Sequence, residues 1–188
     1  MAVTESAGYE VSSTYARGFA KAVQDLGLRK ALEPRLTPVA KQFLDDPGAN
    51  RWWPPAAVEQ CTHLIQELHT DPTLLEVGYR TISSTVGPIL LPLVKVSLTL
   101  FGASPATLLR RVADLSASSL RGVNSSFKAG GPKDCELSLL YPTEVPLGYA
   151  ALWQGAIRWV CETADGKNPR IELLSHTGKT LNFKVSWS

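Results

Sequence analysis

The sequence is poor in residues that bind metals or form disulfides: its 188 residues include three cysteines, three histidines and one methionine. Cys61, Cys135 and Cys161 lie far apart and form no CxxC pair. The sequence therefore predicts neither a disulfide framework nor a cysteine-rich zinc site. We expect all three to be buried, reduced thiols that pack as small hydrophobic side chains.

The motifs that could carry chemistry are incomplete. His63 and His69 are six residues apart, whereas two metal ligands on one face of a helix need a spacing of three or four. Gly178-Lys179-Thr180 resembles the end of a phosphate-binding loop, but Leu173 stands where that motif needs a glycine. There is no GxSxG segment, and the carboxylates are scattered. No residue set supports an enzyme, and we predict no catalytic residue, metal or cofactor.

Neither sign of charge dominates. Nineteen basic and 17 acidic side chains leave a formal charge of +2, which is too balanced for a protein whose main task is binding nucleic acid. We interpret Arg110-Arg111, Arg121 and Lys128 as a solvated surface. The first eight residues lack the basic start and apolar run of a secretory signal, so we expect a cytoplasmic protein.

No apolar run is long enough to span a bilayer. The longest, Val86–Phe101, is interrupted by Pro88 and Pro92 and contains Lys95. It falls short of the ~20 residues that a transmembrane helix needs. We predict a buried core helix here and no membrane span.

Length and composition indicate one globular domain. Hydrophobic residues make up 44% of the chain, an ordinary share for a folded protein, and 188 residues match a single domain. We predict a flexible tail over residues 1–11 and a single domain over residues 12–188.

The part of the sequence before Arg121 has helical periodicity. Ser12 or Ser13 can cap a first helix that Gly27 ends. Prolines divide the next helical stretch into two pieces. The predicted helices cover residues 14–26, 29–44 in two pieces, 56–69, 72–101 and 105–120.

After Arg121 the pattern changes to short β-prone runs that are separated by turn residues. They cover residues 123–129, 135–141, 170–175 and 180–187, and a helix is predicted between them over Leu147–Thr163. We expect this helix to turn Leu152, Ala156, Trp159 and Val160 inward. The prediction is an α+β fold in which an N-terminal helical layer packs on a C-terminal antiparallel sheet of hairpin, helix and hairpin.

Four segments occur in a distinctive order and spacing across the chain. They are Arg51-Trp52-Trp53-Pro54, Leu75–Arg80, Leu100–Pro105 and Phe183–Trp187. From about Tyr15 to Trp187 this order resembles an uncharacterised domain family that is abundant in myxobacteria. That family is similar to 4-vinyl-reductase-like domains and, more distantly, to haem-nitric-oxide-binding domains and small subunits of the TRAPP trafficking complex.

The resemblance implies a helical layer that packs against an antiparallel sheet, often in a dimer. It also indicates which cofactor ligands the sequence would contain if it bound haem or zinc. Haem-binding relatives use a histidine on a central helix, and the matching stretch from about Ser104 to Arg121 has none. The tyrosine-serine-arginine cluster that holds the haem propionates and the clustered cysteines of zinc-binding relatives are missing too. The resemblance therefore implies the scaffold without either cofactor.

Two hypotheses about function follow. The first is a non-catalytic sensory or regulatory domain that binds a small, largely apolar molecule or lipid in a pocket between the helices and the sheet. Five tryptophans are many for this length, and some could line such a pocket. The second is a homodimeric protein–protein interaction module without a ligand, with Val86–Phe101 as its contact face. The candidate pocket residues are Trp53, Tyr79, Phe101, Trp153 and Trp159.

Overall fold

The chain divides into a helical first half and a second half built on a four-stranded sheet, in a computed structural model that describes residues 8–85 and 104–188. The elements of the first half are β1 (Glu10–Ser12), α1 (Ser13–Asp25), α2 (Arg29–Leu32), a 3-10 turn (Glu33–Arg35), α3 (Pro38–Asp45), β2 (Trp52–Trp53), α4 (Pro55–Leu68) and α5 (Asp71–Thr85). Those of the second half are α6 (Pro105–Ser119), β3 (Leu120–Arg121), β4 (Asn124–Ala129), β5 (Asp134–Leu140), α7 (Gly148–Thr163), β6 (Arg170–His176) and β7 (Thr180–Ser186).

The first helix begins and ends where its capping residues predict. The Ser12 side chain accepts a hydrogen bond from the Tyr15 backbone N at 3.2 Å and so satisfies one of the free amides at the start of α1. Gly27 follows the helix with a φ of +68°, a left-handed conformation that favours glycine. The predicted division of the next stretch into two helical pieces is also confirmed.

The sheet has the predicted arrangement of hairpin, helix and hairpin. Its strand order is β4-β5-β7-β6, every neighbouring pair is antiparallel, and Leu137 of β5 lies opposite Phe183 of β7. Helix α6 packs against β4, and α7, which connects the two hairpins, packs against β6. The predicted α+β class is therefore confirmed.

The two faces of the sheet differ in polarity because side chains alternate along each strand. On β7, Leu181, Phe183 and Val185 are fully buried, as the alternation predicts. On the opposite face, one row across the four strands is alternately basic and acidic, which is typical of a solvated surface. This row consists of Lys128, Glu136, Lys184 and Glu172.

The N-terminal segment is folded further towards its start than the sequence predicts. Tyr9 and Val11 are buried, and β1 is the middle strand of a small sheet between β2 and β3. The predicted tail over residues 1–11 is therefore wrong for residues 9–11, and residues 1–7 lie outside the described part. A strand of three residues is too short to show an alternating pattern in the sequence. It forms because it pairs with residues 52–53 and 120–121.

Helix α5 lies at the centre of the helical layer and contacts α1 on one side and α7 on the other. Two glycines bring α5 and α7 together backbone to backbone. A Cβ atom on Gly78 would overlap the carbonyl oxygen of Leu152, and one on Gly155 would overlap that of Leu75. On the α1 side, a Cβ on Gly18 would lie 2.7 Å from the carbonyl oxygen of Thr81.

None of the described helices is long and apolar enough to cross a membrane. The stretch Val86–Phe101, which the sequence predicts as a core helix and as a dimer face, lies outside the described residues.

We expect the Gly78→Ala and Gly155→Ala variants to be less stable than the wild type, although alanine is the better helix former. The added methyl group has to displace a backbone carbonyl, and overpacking of this kind costs typically about 1–3 kcal/mol. Denaturant unfolding would measure the change, with Gly131→Ala in the exposed β4–β5 turn as the control. Wild-type stability of both helix variants would contradict the proposed backbone contact.

Candidate functional site

A small cavity lies where the helical layer meets the second half of the chain. Its volume is about 30 Å³, and its wall is mostly apolar. By comparison, an engineered cavity that binds benzene has about 150 Å³. The wall combines residues from β1, α1, α4, α5, β3 and α7: Tyr9, Val11, Tyr15, Val58, Gly78, Thr81, Ile82, Leu120, Leu152, Trp153 and Ala156, together with Tyr141 and Tyr149.

Three tyrosine rings from distant parts of the chain pack edge to face on this wall. The ring centroids of Tyr9 and Tyr141 are 5.1 Å apart, those of Tyr141 and Tyr149 6.0 Å, and those of Tyr9 and Tyr149 6.5 Å. Such geometry is favourable because the positive edge of one ring meets the negative face of the next. All three residues are buried, so the aromatic cluster belongs to the core.

Two of the phenols form a hydrogen-bond chain towards the surface. The Tyr9 hydroxyl donates to Oε1 of Glu59 at 3.0 Å, and the hydroxyl oxygens of Tyr9 and Tyr149 are 2.7 Å apart. Because the Tyr9 proton is used by Glu59, Tyr149 is the donor to Tyr9. Burial raises the pKa of both phenols, so both remain neutral at physiological pH. These hydrogen bonds join α7 and α4 through Tyr9, the residue that precedes β1.

The other two tyrosines on the wall, Tyr15 and Tyr141, each have a hydroxyl proton that no described residue accepts. Tyr141 accepts a hydrogen bond from Nε1 of Trp153 at 2.8 Å, but among the described residues nothing accepts its own proton. The Tyr15 hydroxyl likewise has no hydrogen-bond partner in the described part of the chain. Burial raises the pKa of each, and the neighbouring Tyr15 phenol further raises that of Tyr141 although the Trp153 bond lowers it. Both therefore remain donors.

The loop that carries Tyr141 is held by the turn between β6 and β7. The Tyr141 backbone N donates to the Lys179 carbonyl oxygen at 2.9 Å, and the Val145 backbone N donates to that of Gly178 at 2.7 Å. Nε2 of His176 also lies 3.1 Å from the Val145 carbonyl oxygen. The turn whose sequence resembles a phosphate loop thus positions the wall of the cavity.

Of the five residues predicted to line a pocket, Trp153 lies on the wall of this cavity. Trp53 is buried in the helical half, where it packs on Phe43 and donates to the Pro47 carbonyl oxygen at 2.9 Å. Its Nε1–H group is thus satisfied by local structure, which is typical of a core tryptophan.

Two further predicted residues lie away from the cavity. Tyr79 is half-buried on the surface of α5 and donates to Oε2 of Glu162 at 2.9 Å. Trp159 is buried on α7 but is not on the cavity wall. Phe101 lies outside the described residues. The structure thus separates Trp53, Tyr79 and Trp159 from the cavity, because helical periodicity indicates which residues are buried but not which rings meet.

Sequence reasoning does not identify the tyrosines of the wall. Tyr9 falls in the predicted tail, and the patterns around Tyr15 and Tyr141 indicate only apolar faces. One signal is present in the sequence: a tyrosine where a phenylalanine would fill the same space indicates that the hydroxyl has a use.

The three cysteines are buried and free, as predicted. Burial raises the pKa of Cys61 and Cys161 to about 12 and that of Cys135 to about 11, so the thiols are protonated and poorly nucleophilic. Within the described ranges, no group of three or more histidine, cysteine, aspartate or glutamate residues could hold a metal ion.

Comparison with known proteins shows the fold. No family model matches the sequence, and no curated protein matches it. The structure is similar to that of an oxygen-binding H-NOX domain related to soluble guanylate cyclases, with 13% identity, a TM-score of 0.59 and coverage of 94% of this chain and 95% of that one. For unliganded Fe(II) H-NOX from K. algicida the identity is 11%, the TM-score 0.61 and the coverage 94% and 96%.

A mutant form of T. tengcongensis H-NOX gives the same result, with 12% identity, a TM-score of 0.60 and coverage of 94% and 97%. At such identities the similarity shows a shared H-NOX-like fold. The predicted relationship to haem-nitric-oxide-binding domains is therefore confirmed at the level of the fold.

The described residues do not fit haem, although one similar structure concerns haem redox potential and porphyrin distortion. A cavity of about 30 Å³ is far below the roughly 300–1,000 Å³ of typical ligand pockets, and the contact of Gly78 with Leu152 closes the space between α5 and α7. Among the described residues, the wall offers no histidine, cysteine or methionine as an iron ligand. A larger depression beside the end of α7 is open and lined by polar residues such as Arg158 and Lys167.

The hydrogen-bond chain predicts an order of stabilities. Tyr9→Phe leaves the Tyr149 hydroxyl without an acceptor and should lower the free energy of unfolding by about 1–3 kcal/mol, whereas Tyr149→Phe removes one hydrogen bond and should cost about 0.5–1.5 kcal/mol. Tyr79→Phe on the surface is the control and should change stability by less than about 0.5 kcal/mol. Denaturant unfolding measures all three. A larger loss in Tyr149→Phe than in Tyr9→Phe would refute the assigned donor direction.

Tyrosine ionisation should be abnormal in the native protein. All five tyrosines of the sequence have a raised pKa, mainly through burial. Unfolded tyrosines titrate near pH ~10, so above that pH the unfolded state loses protons that the native state keeps, and the free energy of unfolding falls. In a titration followed by phenolate absorbance and circular dichroism, Tyr79 should ionise first and the others only as the helices unfold. Ionisation of all five near pH ~10 with intact helices would contradict the burial of the phenols.

Proposed function

We propose that this chain is a non-catalytic sensory or regulatory domain that binds a small, largely apolar ligand, without haem, in the tyrosine-lined cavity. One observation carries the proposal: the cavity lies at the seam of the two halves, and six different elements contribute to its wall. A ligand there contacts residues that are distant in sequence, and its binding can therefore bias their relative arrangement.

The walls of the cavity differ in how firmly they are held. Helices α5 and α7 cannot move closer, since their backbones already touch at Gly78 and Gly155. Strand β1 has two residue pairs with each neighbouring strand and the two hydrogen bonds of the Tyr9 hydroxyl. A ligand larger than the cavity would therefore displace β1, and through it the N-terminal segment, before it separated the helices. This is the route by which binding would become a signal.

The finer predictions from the sequence remain part of the proposal. They are membership of the myxobacterial family, similarity to 4-vinyl-reductase-like domains and TRAPP small subunits, and a cytoplasmic location. A lipid ligand is not favoured, because an acyl chain is much larger than the described cavity. The predicted role of Phe101 in ligand binding stays a prediction, because this residue lies outside the described residues. Trp53, Tyr79 and Trp159 are not among the described residues of the cavity wall, so the proposal places ligand contact at Trp153 instead.

The proposal predicts ligand-dependent thermal stability. A library of small apolar molecules should contain members that raise the melting temperature of the wild type by about 5–10 °C at a hundred times their Kd. The Val58→Ile variant adds a methylene group to the cavity wall and should abolish the shift. Val39→Ile on α3, away from the cavity, is the matched control and should retain it. The proposal is wrong if no molecule stabilises the wild type or if Val58→Ile responds equally.

The same samples separate this proposal from the homodimeric module that the sequence also predicts. Light scattering at high concentration measures the mass with and without a stabilising molecule. A constant dimer that no molecule stabilises would favour the interaction module, whereas a ligand-stabilised protein favours the sensory domain whatever its mass.

A further inference from the structure

We infer that the cavity selects small apolar molecules that carry one neutral hydrogen-bond-acceptor oxygen, and that the hydroxyls of Tyr15 and Tyr141 bind this oxygen. The inference rests on the proposed function and specifies the class of ligand. Short ketones, aldehydes and ethers belong to this class, and hydrocarbons of the same shape do not.

The four phenols of the wall differ in whether their protons are used. The protons of Tyr9 and Tyr149 are donated within the chain, to Glu59 and to Tyr9 respectively. Nothing in the described part of the chain accepts the protons of Tyr15 and Tyr141, although both residues line the cavity. Tyr141 is buried, and Tyr15 is half-buried. A donor that loses its contact with water without gaining an acceptor is unfavourable, so a ligand that offers an acceptor gains over one that does not.

Tyr141 is the stronger of the two donors. Its oxygen accepts a hydrogen bond from Nε1 of Trp153 at 2.8 Å, and a hydroxyl that accepts one hydrogen bond is polarised to donate another more strongly. The loop that carries Tyr141 is fixed by backbone hydrogen bonds to Lys179 and Gly178, so the hydroxyl is held in place before a ligand binds.

The surroundings favour a neutral ligand. None of the wall residues that the structure describes is lysine, arginine or histidine, so an anion there would be buried without a counter-charge from them. A cation would need acceptors, but the Tyr141 oxygen already accepts the Trp153 proton. A neutral oxygen with an apolar remainder satisfies both free donors and the apolar part of the wall.

Two small molecules of the same shape, acetone and isobutene, test the inference. Acetone has a carbonyl oxygen where isobutene has a methylene group. Kd values from NMR chemical-shift titrations of the full-length chain give the preference directly. We expect acetone to bind the wild type about tenfold more tightly than isobutene. Tyr15→Phe and Tyr141→Phe should each reduce this preference while isobutene binds as before, and Tyr79→Phe should leave it unchanged.

The outcomes separate this inference from the proposed function. If isobutene and acetone bind the wild type equally, or if the preference survives in both cavity variants, the acceptor selectivity is wrong while the ligand site stands. If neither molecule binds, the acceptor selectivity is wrong, and the proposed function is then decided by the thermal-stability library alone. Tyr141→Phe leaves Trp153 without its acceptor and can destabilise the fold, but Tyr15→Phe removes no hydrogen bond within the described structure and keeps the test decisive.

Discussion

The contact between the backbones of α5 and α7 constrains the rest of the structure. Glycine at positions 78 and 155 lets the two helices touch without side chains between them, and a Cβ atom at either position would overlap a carbonyl oxygen of the partner helix. The line of contact therefore fixes how far apart the helical layer and the second half of the chain can lie. The cavity beside it, with Gly78 and Leu152 on its wall, owes its small size to this approach.

The cluster of Tyr9, Tyr141 and Tyr149 adds hydrogen bonds to the apolar core beside this helix contact. Buried hydroxyl groups are usually hydrogen-bonded, so each tyrosine of the cluster also specifies a polar partner. Tyr9 links Tyr149 of α7 to Glu59 of α4 and thereby anchors β1 between them. Leucine or phenylalanine at these positions could fill the volume but could not fix which elements meet.

The sequence predicts the helices of the first half, the strands of the sheet and the helix between the hairpins, since each depends on periodicity, capping or turn residues within a short window. It does not predict β1, because three residues are too few to show a period and their conformation depends on pairing with residues at least 40 positions away. For the same reason it predicts that tryptophans are buried but not which of them reach the cavity. Trp153 and Trp159 lie on one helix, six residues apart, yet only Trp153 contributes to the wall.

The H-NOX-like fold does not by itself determine which ligand a protein binds. The fold is similar over nearly the whole length. The space at the seam, however, holds tyrosine rings and a backbone contact that leave no room for a porphyrin among the described residues. On our proposal, a hydrogen-bonding site needs no new topology on this scaffold, only small residues where the helices approach each other and phenols where the wall donates. The chemistry of such a site has therefore to be deduced from its side chains, and here they indicate neutral donors in an apolar wall.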